Sequence, residues 1–154
     1  MLLCCDSKGD RRFSALYALL GKRSIEQWYQ GAKRDENGCS YEKPKGKQAV
    51  FFALDSTYVP ATSIQFEYYL MLWHAYFRHH KDLLEYAATF EQFQDVFDGH
   101  RGVIYEPQAQ YPQADRCCQA DAIAHLVYCY TEKCKKTYPK ILKNVWSQLR
   151  EETL

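Results

Sequence analysis

Residues 25–33 combine polar and apolar residues, each set at helical spacing. Glu26, Gln30 and Lys33 lie three to four positions apart, so on one helix they would form a single stripe. An apolar stripe lies about a third of a turn away; it consists of Ile25, Trp28, Tyr29 and Ala32. A carboxylate, an amide and an ammonium beside a core would line a cleft, where the carboxylate can stabilise a developing cation or activate water.

Three aspartates are candidates for a second carboxylate: Asp95, Asp98 and Asp121. Asp95 is the first choice because it lies just before residues 98–114, which hold two Gly and two Pro without periodicity. Such long irregular stretches often form functional loops, and we expect this one to border the pocket and set substrate choice. For each aspartate, the alternative to a role as the second carboxylate is helix capping or simple exposure on the surface.

A basic segment, Lys43-Pro44-Lys45-Gly46-Lys47, supplies candidate phosphate ligands in Lys45 and Lys47. It lacks the GxxxxGK[ST] spacing of a phosphate-binding loop. It could hold a diphosphate or a nucleic-acid backbone, or it could be a solvated turn.

The sequence predicts no metal site and no cofactor. His125 and Cys129 share a helix face and Cys134 follows, but neither a CxxC nor an HExxH pattern is present.

Capping signals predict the helices that would position these residues. Ser24-Ile25-Glu26-Gln27 matches a capping box and starts a helix that should run to about Arg34. Thr62-x-x-Gln65 is a second box, before a central helix to about His80. Asp82-x-x-Glu85 should cap a third helix, continuing or kinking into Phe93, Val96 and Phe97.

The other segments read as short strands, loops and two closing helices. Strands are expected at Leu2–Cys5 and Ala49–Leu54, a loop at 35–48 with a turn at Asn37-Gly38, and helices at about 115–136 and 139–152. The expected fold class is α+β: a mostly helical single domain over residues 1–154, with five to six helices and a few short N-terminal strands.

Composition narrows the class of partner. The chain has 154 residues, 47% hydrophobic and 25% charged, as is typical of a folded domain. Its net charge of +1 is too weak for a typical duplex-DNA binder, although basic ends could attract a small phosphorylated ligand. No apolar run approaches the roughly 20 residues that span a bilayer, and seven cysteines without framework spacing favour reduced thiols in the cytoplasm.

One motif resembles a known family. Phe13-Ser14, followed by Ser24-Ile25-Glu26-Gln27-Trp28-Tyr29-Gln30-Gly31-Ala32-Lys33, resembles the signature of the NADAR (NAD- and ADP-ribose-associated) superfamily, a phenylalanine-serine turn and then a helix of the form [ST]-x-E-[HQ]-[YW]-[YF]-Q-x-x-K. Asp10-Arg11-Arg12-Phe13-Ser14 looks like the opening of phage-encoded relatives. Ala15 replaces the family's asparagine, and the late acidic-Trp-Gly element is replaced by Asp95-Val96-Phe97-Asp98-Gly99.

The resemblance implies an N-glycosidase that cleaves a ribose–nitrogen bond, as in removing ADP-ribose from guanine in nucleic acid or a nucleotide. It maps the family's functional glutamate onto Glu26 and suggests ligand contacts for Arg12 and Ser14, with a structural turn as the alternative. Lys33 could hold a phosphate or keep Glu26 ionised, and Tyr29 is the better stacking candidate because it lies nearest the polar stripe. The implied location is the cytoplasm of a bacterium or a phage-infected host.

Two other functions are compatible with these residues. One is a non-catalytic binder that sequesters an ADP-ribose-like nucleotide in phage–host conflict. The other is a helical protein-interaction domain without a small ligand. The oligomeric state is left open by the sequence.

Overall fold

The computed structural model describes residues 1–95, 103–110 and 118–151. Within these ranges the α-helices are α1 (Ile25–Gly31), α2 (Ala61–His79), α3 (Lys81–Ala87), α4 (Gln119–Thr131) and α5 (Lys143–Glu151). The strands are β1 (Leu2–Cys4), β2 (Leu19–Leu20), β3 (Arg23–Ser24), β4 (Lys33–Arg34), β5 (Phe51–Leu54), β6 (Thr57–Pro60), β7 (Gln92–Gln94) and β8 (Ile104–Tyr105). The predicted α+β class is confirmed.

Helix α2 is the centre of the core. Four consecutive residues, Leu70, Met71, Leu72 and Trp73, are fully buried. Consecutive helical residues point in different directions, so this helix is covered on more than one side. Helices α1, α3, α4 and α5 all pack against it.

Three small sheets pack against the helices. Strand β1 pairs in parallel with β7, which pairs antiparallel with β8, while β4, β5 and β6 form an antiparallel sheet and β2 pairs with β3. Asp55 and Ser56 join β5 to β6 with φ values of 46° and 65°, as in a two-residue type I′ hairpin turn. The parallel pairing of β7 with β1 places Asp95 directly after a strand whose central residue, Phe93, is buried.

The first predicted helix is confirmed at its start and wrong at its end. Ser24 caps α1, but the helix stops at Gly31, and Lys33 pairs with Phe52 in an antiparallel ladder. The Ala53 amide also donates to the Ala32 carbonyl at 2.8 Å. The β5–β6 hairpin therefore satisfies the backbone that would otherwise have continued the helix.

Later elements also differ from the predictions. Helix α2 exists, but its N-cap residue is Pro60 instead of Thr62, and Pro60 makes no side-chain cap. Helix α3 begins at Lys81 after His80, which also makes no side-chain cap. Phe93 lies on strand β7 instead of a helix, because pairing with β1 satisfies its backbone. Val96 and Phe97 lie outside the described residues, as do Asp98 and much of the predicted 98–114 loop, of which Ile104–Tyr105 forms β8.

The two closing helices are confirmed in shortened form. Within the described residues, α4 covers Gln119–Thr131, and a 3₁₀ turn at Lys140–Leu142 precedes α5. None of the described helices has the length and apolar character needed to cross a membrane.

Candidate functional site

The N-terminus of α1 is built by a complete capping box. The Ser24 hydroxyl accepts from the Gln27 amide at 3.1 Å, and the Gln27 side-chain oxygen accepts from the Ser24 amide at 2.8 Å. Glu26 lies in the first turn, half-buried, where the helix dipole favours a negative charge. The cap therefore fixes the backbone that carries Glu26.

The opening turn packs directly against this helix end. The Glu26 amide donates to the Ala15 carbonyl at 2.9 Å, and the Ile25 amide donates to the Ala18 carbonyl at 3.0 Å. Ser14, in the same turn, is 1% exposed. The two parts of the sequence motif, ten residues apart, are thus brought together.

Gln30 holds the Glu26 side chain one turn further along α1. Its Nε2 donates to Glu26 Oε1 at 3.0 Å, which confirms that these two residues share a helix face. Gln30 Oε1 is buried and has no hydrogen-bond partner among the described residues. A buried acceptor without a donor costs about 1–3 kcal/mol, so this oxygen lowers the stability of the fold.

The Lys33 side chain binds the backbone of the basic segment 43–47. It lies on β4, and its ammonium donates to the Lys47 carbonyl at 2.9 Å and to the Pro44 carbonyl at 3.4 Å. The same ammonium lies 5.3 Å from the centre of the Tyr29 ring. Lys33 is therefore not on the helix stripe with Glu26, while Lys45 and Lys47 have exposed side chains.

Tyr29 belongs to an aromatic cluster in the core. It is 7% exposed, and its ring centre lies 5.1 Å from that of Tyr69, 5.4 Å from Phe52 and 6.3 Å from Tyr68. Packing on three sides explains its burial.

Arg12 is paired on the surface. Its Nε and Nη2 donate to the two Asp10 carboxylate oxygens at 2.9 and 2.7 Å, and these hydrogen bonds lower the pKa of Asp10. Its guanidinium also lies 4.9 Å from the centre of the Tyr86 ring. A ligand phosphate would have to share Arg12 with Asp10.

A second cluster of polar side chains lies at the N-terminus of α4. Asp95 is 3% exposed, and the Cys118 thiol lies 3.6 Å from its Oδ2 as a donor. Asp121, in the first turn of α4, accepts from Gln108 Nε2 at 3.2 Å. Burial raises the pKa of Asp121 to about 6 and that of the Cys118 thiol to about 12.

One hydrogen bond links the turn beside Glu26 to the polar side chains at the N-terminus of α4. The Ala15 amide donates to the Gln119 side-chain oxygen at 2.6 Å, and Gln119 follows Cys118, the partner of Asp95. The same turn therefore adjoins the α1 end with Glu26 and the α4 end with the Asp95–Cys118 pair.

Sequence reasoning missed Gln119, Cys118 and Tyr105 as parts of this arrangement. Tyr105 hydrogen-bonds the Cys118 side chain. The Gln119–Ala15 contact joins residues 104 positions apart and the Cys118–Asp95 contact residues 23 positions apart, so no helix or strand spacing signals them. Among the described residues, no group of three or more His, Cys, Asp or Glu side chains could hold a metal ion.

Comparison with known proteins returns no match to a family model, a curated protein or a solved structure. The resemblance to the NADAR superfamily therefore stays a prediction.

Proposed function

We propose that the chain is an N-glycosidase of NADAR type that hydrolyses a ribose–nitrogen bond, such as the bond joining ADP-ribose to guanine in nucleic acid or a nucleotide. The Glu26–Gln30 pair carries the proposal. It combines a carboxylate oriented by one hydrogen bond with a neighbouring buried oxygen that has no hydrogen-bond partner among the described residues.

The pair suits the chemistry of this reaction. Departure of the nitrogen base leaves positive charge on the anomeric carbon and ring oxygen of the ribose. Glu26 would stabilise that charge and activate the attacking water, since a carboxylate can do both. Gln30 Oε1 would accept a hydrogen bond from a ligand hydroxyl or amide and so position the substrate.

Other residues would contribute binding. Ser14 lies in the turn that contacts the Glu26 backbone, and Arg12 follows Asp10 in the same segment. Lys33 would act through the basic loop, because its ammonium holds the carbonyls that flank Lys45. Asp95 would be the second carboxylate. It accepts from the Cys118 thiol, and the next residue, Gln119, accepts from the Ala15 amide in the turn beside Glu26.

The cysteines support a reducing compartment such as the cytoplasm. The six described cysteines are free thiols, as is usual for cytosolic proteins.

The test is incubation with ADP-ribosylated guanosine and with ADP-ribosylated DNA, followed by mass spectrometry. Release of free ADP-ribose at a rate proportional to protein concentration is the expected result. Binding of ADP-ribose without release would instead favour a sequestering protein. Absence of both would contradict the proposal.

A further inference from the structure

Two cysteines lie near each other at the C-terminal end of α4. The Cys134 amide donates to the Cys129 carbonyl at 2.9 Å, and the Lys133 amide donates to the Tyr130 carbonyl at 3.3 Å. Lys133 has a φ of 55°. These two bonds and the left-handed residue define a Schellman motif, in which the residues at the positions of Cys129 and Cys134 are commonly in side-chain contact.

The backbone bond limits how far apart the two cysteines can be. With an N···O distance of 2.9 Å, standard bond lengths keep the two Cα atoms within about 7 Å of each other. Disulfides usually span Cα separations of roughly 4.4–6.8 Å. Both side chains also line one cavity of about 170 Å³, with His74, Phe77 and Lys136 among its other walls.

The two thiols differ in exposure. Cys134 is exposed and Cys129 is half-buried, so a reagent in solution meets Cys134 first. Cys129 Sγ lies 3.6 Å from His125 Nε2, a nitrogen that can exchange a proton with the thiol. Burial raises the pKa of Cys129 and the Lys136 ammonium opposes that shift.

We propose that Cys129 and Cys134 form a thiol pair that reacts with low-molecular-weight disulfides, such as oxidised glutathione, and closes into an intramolecular disulfide. The Cys134 thiolate attacks one glutathione sulfur, forms a mixed disulfide and expels one glutathione thiolate. Cys129 then attacks the Cys134 sulfur, forms the protein disulfide and expels the second glutathione, while the two thiol protons pass to the two released glutathiones. Two protein thiols are oxidised and one glutathione disulfide is reduced to two thiols.

The pair differs from the exposed Cys39. Cys39 lies in the loop after α1 and β4, with no second described cysteine next to it in sequence. It should therefore retain a glutathione adduct that Cys134 loses, because an adjacent thiol acts at a high effective concentration.

The experiment treats the parent protein, Cys129→Ser, Cys134→Ser and Cys39→Ser with oxidised glutathione under native conditions. Adducts are then counted by intact mass and by peptide mapping without reductant. We expect the parent to carry glutathione on Cys39 but little on Cys134. Cys129→Ser should raise the Cys134 adduct about tenfold or more, and Cys39→Ser should leave the pair's reaction unchanged.

Peptide mapping gives a second readout. Trypsin cleaves after Lys133, between the two cysteines, so the disulfide keeps two peptides joined until reductant is added. The first of these peptides, residues 117–133, also holds Cys117 and Cys118. Appearance of the linked species in the parent and its loss in Cys129→Ser therefore support the proposal. Equal glutathione adducts on Cys134 in the parent and in Cys129→Ser, with no linked peptides, would overturn it.

Discussion

At the scale of single residues, the Glu26–Gln30 pair contains a group that lowers stability and that the proposed function would explain. Gln30 keeps a buried oxygen without a partner among the described residues, and such groups persist in folded proteins where function requires them. The proposed activity accounts for that cost, because the oxygen would be satisfied by substrate.

Replacing Gln30 with Met tests this account. Gln30→Met removes both the buried oxygen and the hydrogen bond to Glu26, so we expect unfolding free energy to stay equal or rise by about 1 kcal/mol. Turnover should fall, because Glu26 loses its orienting donor. Thermal denaturation and the ADP-ribose release assay measure the two effects, with Gln48→Met, at an exposed loop position, as the control. A Gln30→Met protein with parental activity would contradict the account.

At the scale of elements, two similar sequence signals have different outcomes. Ser24 and Thr62 both precede a glutamine at capping-box spacing, yet only Ser24 caps its helix. Ser24→Ala should therefore cost about 1 kcal/mol of unfolding free energy, while Thr62→Ala should change it by less than about 0.5 kcal/mol. Urea denaturation of both variants makes the comparison, and equal losses would show that the Ser24 cap contributes nothing special.

The basic loop depends on Lys33. Its two hydrogen bonds to loop carbonyls should be worth about 1.5–3 kcal/mol as charged hydrogen bonds. Lys33→Met should therefore speed amide hydrogen exchange at Lys47, whose amide donates to Pro44 at 2.9 Å, and leave α2 protected. Lys43→Met, at an exposed position of the same loop, is the control. Unchanged exchange in Lys33→Met would mean that the loop holds its shape without this lysine.

Sequence patterns predicted the features that depend on residues close together in the sequence. The capping box predicted the start of α1, and four-residue spacing predicted the Glu26–Gln30 contact. Strand β7 was missed because its pairing with β1 joins residues about ninety positions apart. The Cys118–Asp95 and Gln119–Ala15 contacts were missed because tertiary packing decides them, across 23 and 104 positions of sequence.

At the scale of the whole molecule, three titratable groups set the pH dependence of stability between pH 4 and 6: the buried Asp121 and His125 and the half-buried His74. Burial lowers the pKa of His74 and of His125 to about 4 and raises that of Asp121 to about 6. Between pH 4 and 6 both histidines take up a proton on unfolding, whereas Asp121 releases one. The net uptake is about one proton, so stability should rise with pH by about 1.4 kcal/mol per unit in this window.

Asp121→Asn isolates one of these contributions. It removes the opposing proton release, so the slope between pH 4 and 6 should roughly double. At neutral pH the variant should be more stable than the parent by up to about 3 kcal/mol, because the buried charge is gone. Denaturant titrations across pH measure both effects, with the exposed Asp82→Asn as the control. A slope unchanged by Asp121→Asn would remove this aspartate from the account.

In the proposed reaction, Glu26 stabilises the cation formed when a ribose–nitrogen bond breaks. Glu26→Gln keeps the shape of the side chain and removes its charge. The most direct test is the rate of free ADP-ribose release from ADP-ribosylated guanosine by Glu26→Gln, beside the parent and the exposed Glu36→Gln. We predict a loss of at least about 100- to 1,000-fold for Glu26→Gln, with unchanged folding, and a parental rate for Glu36→Gln. Parental release by a folded Glu26→Gln protein would contradict the claim.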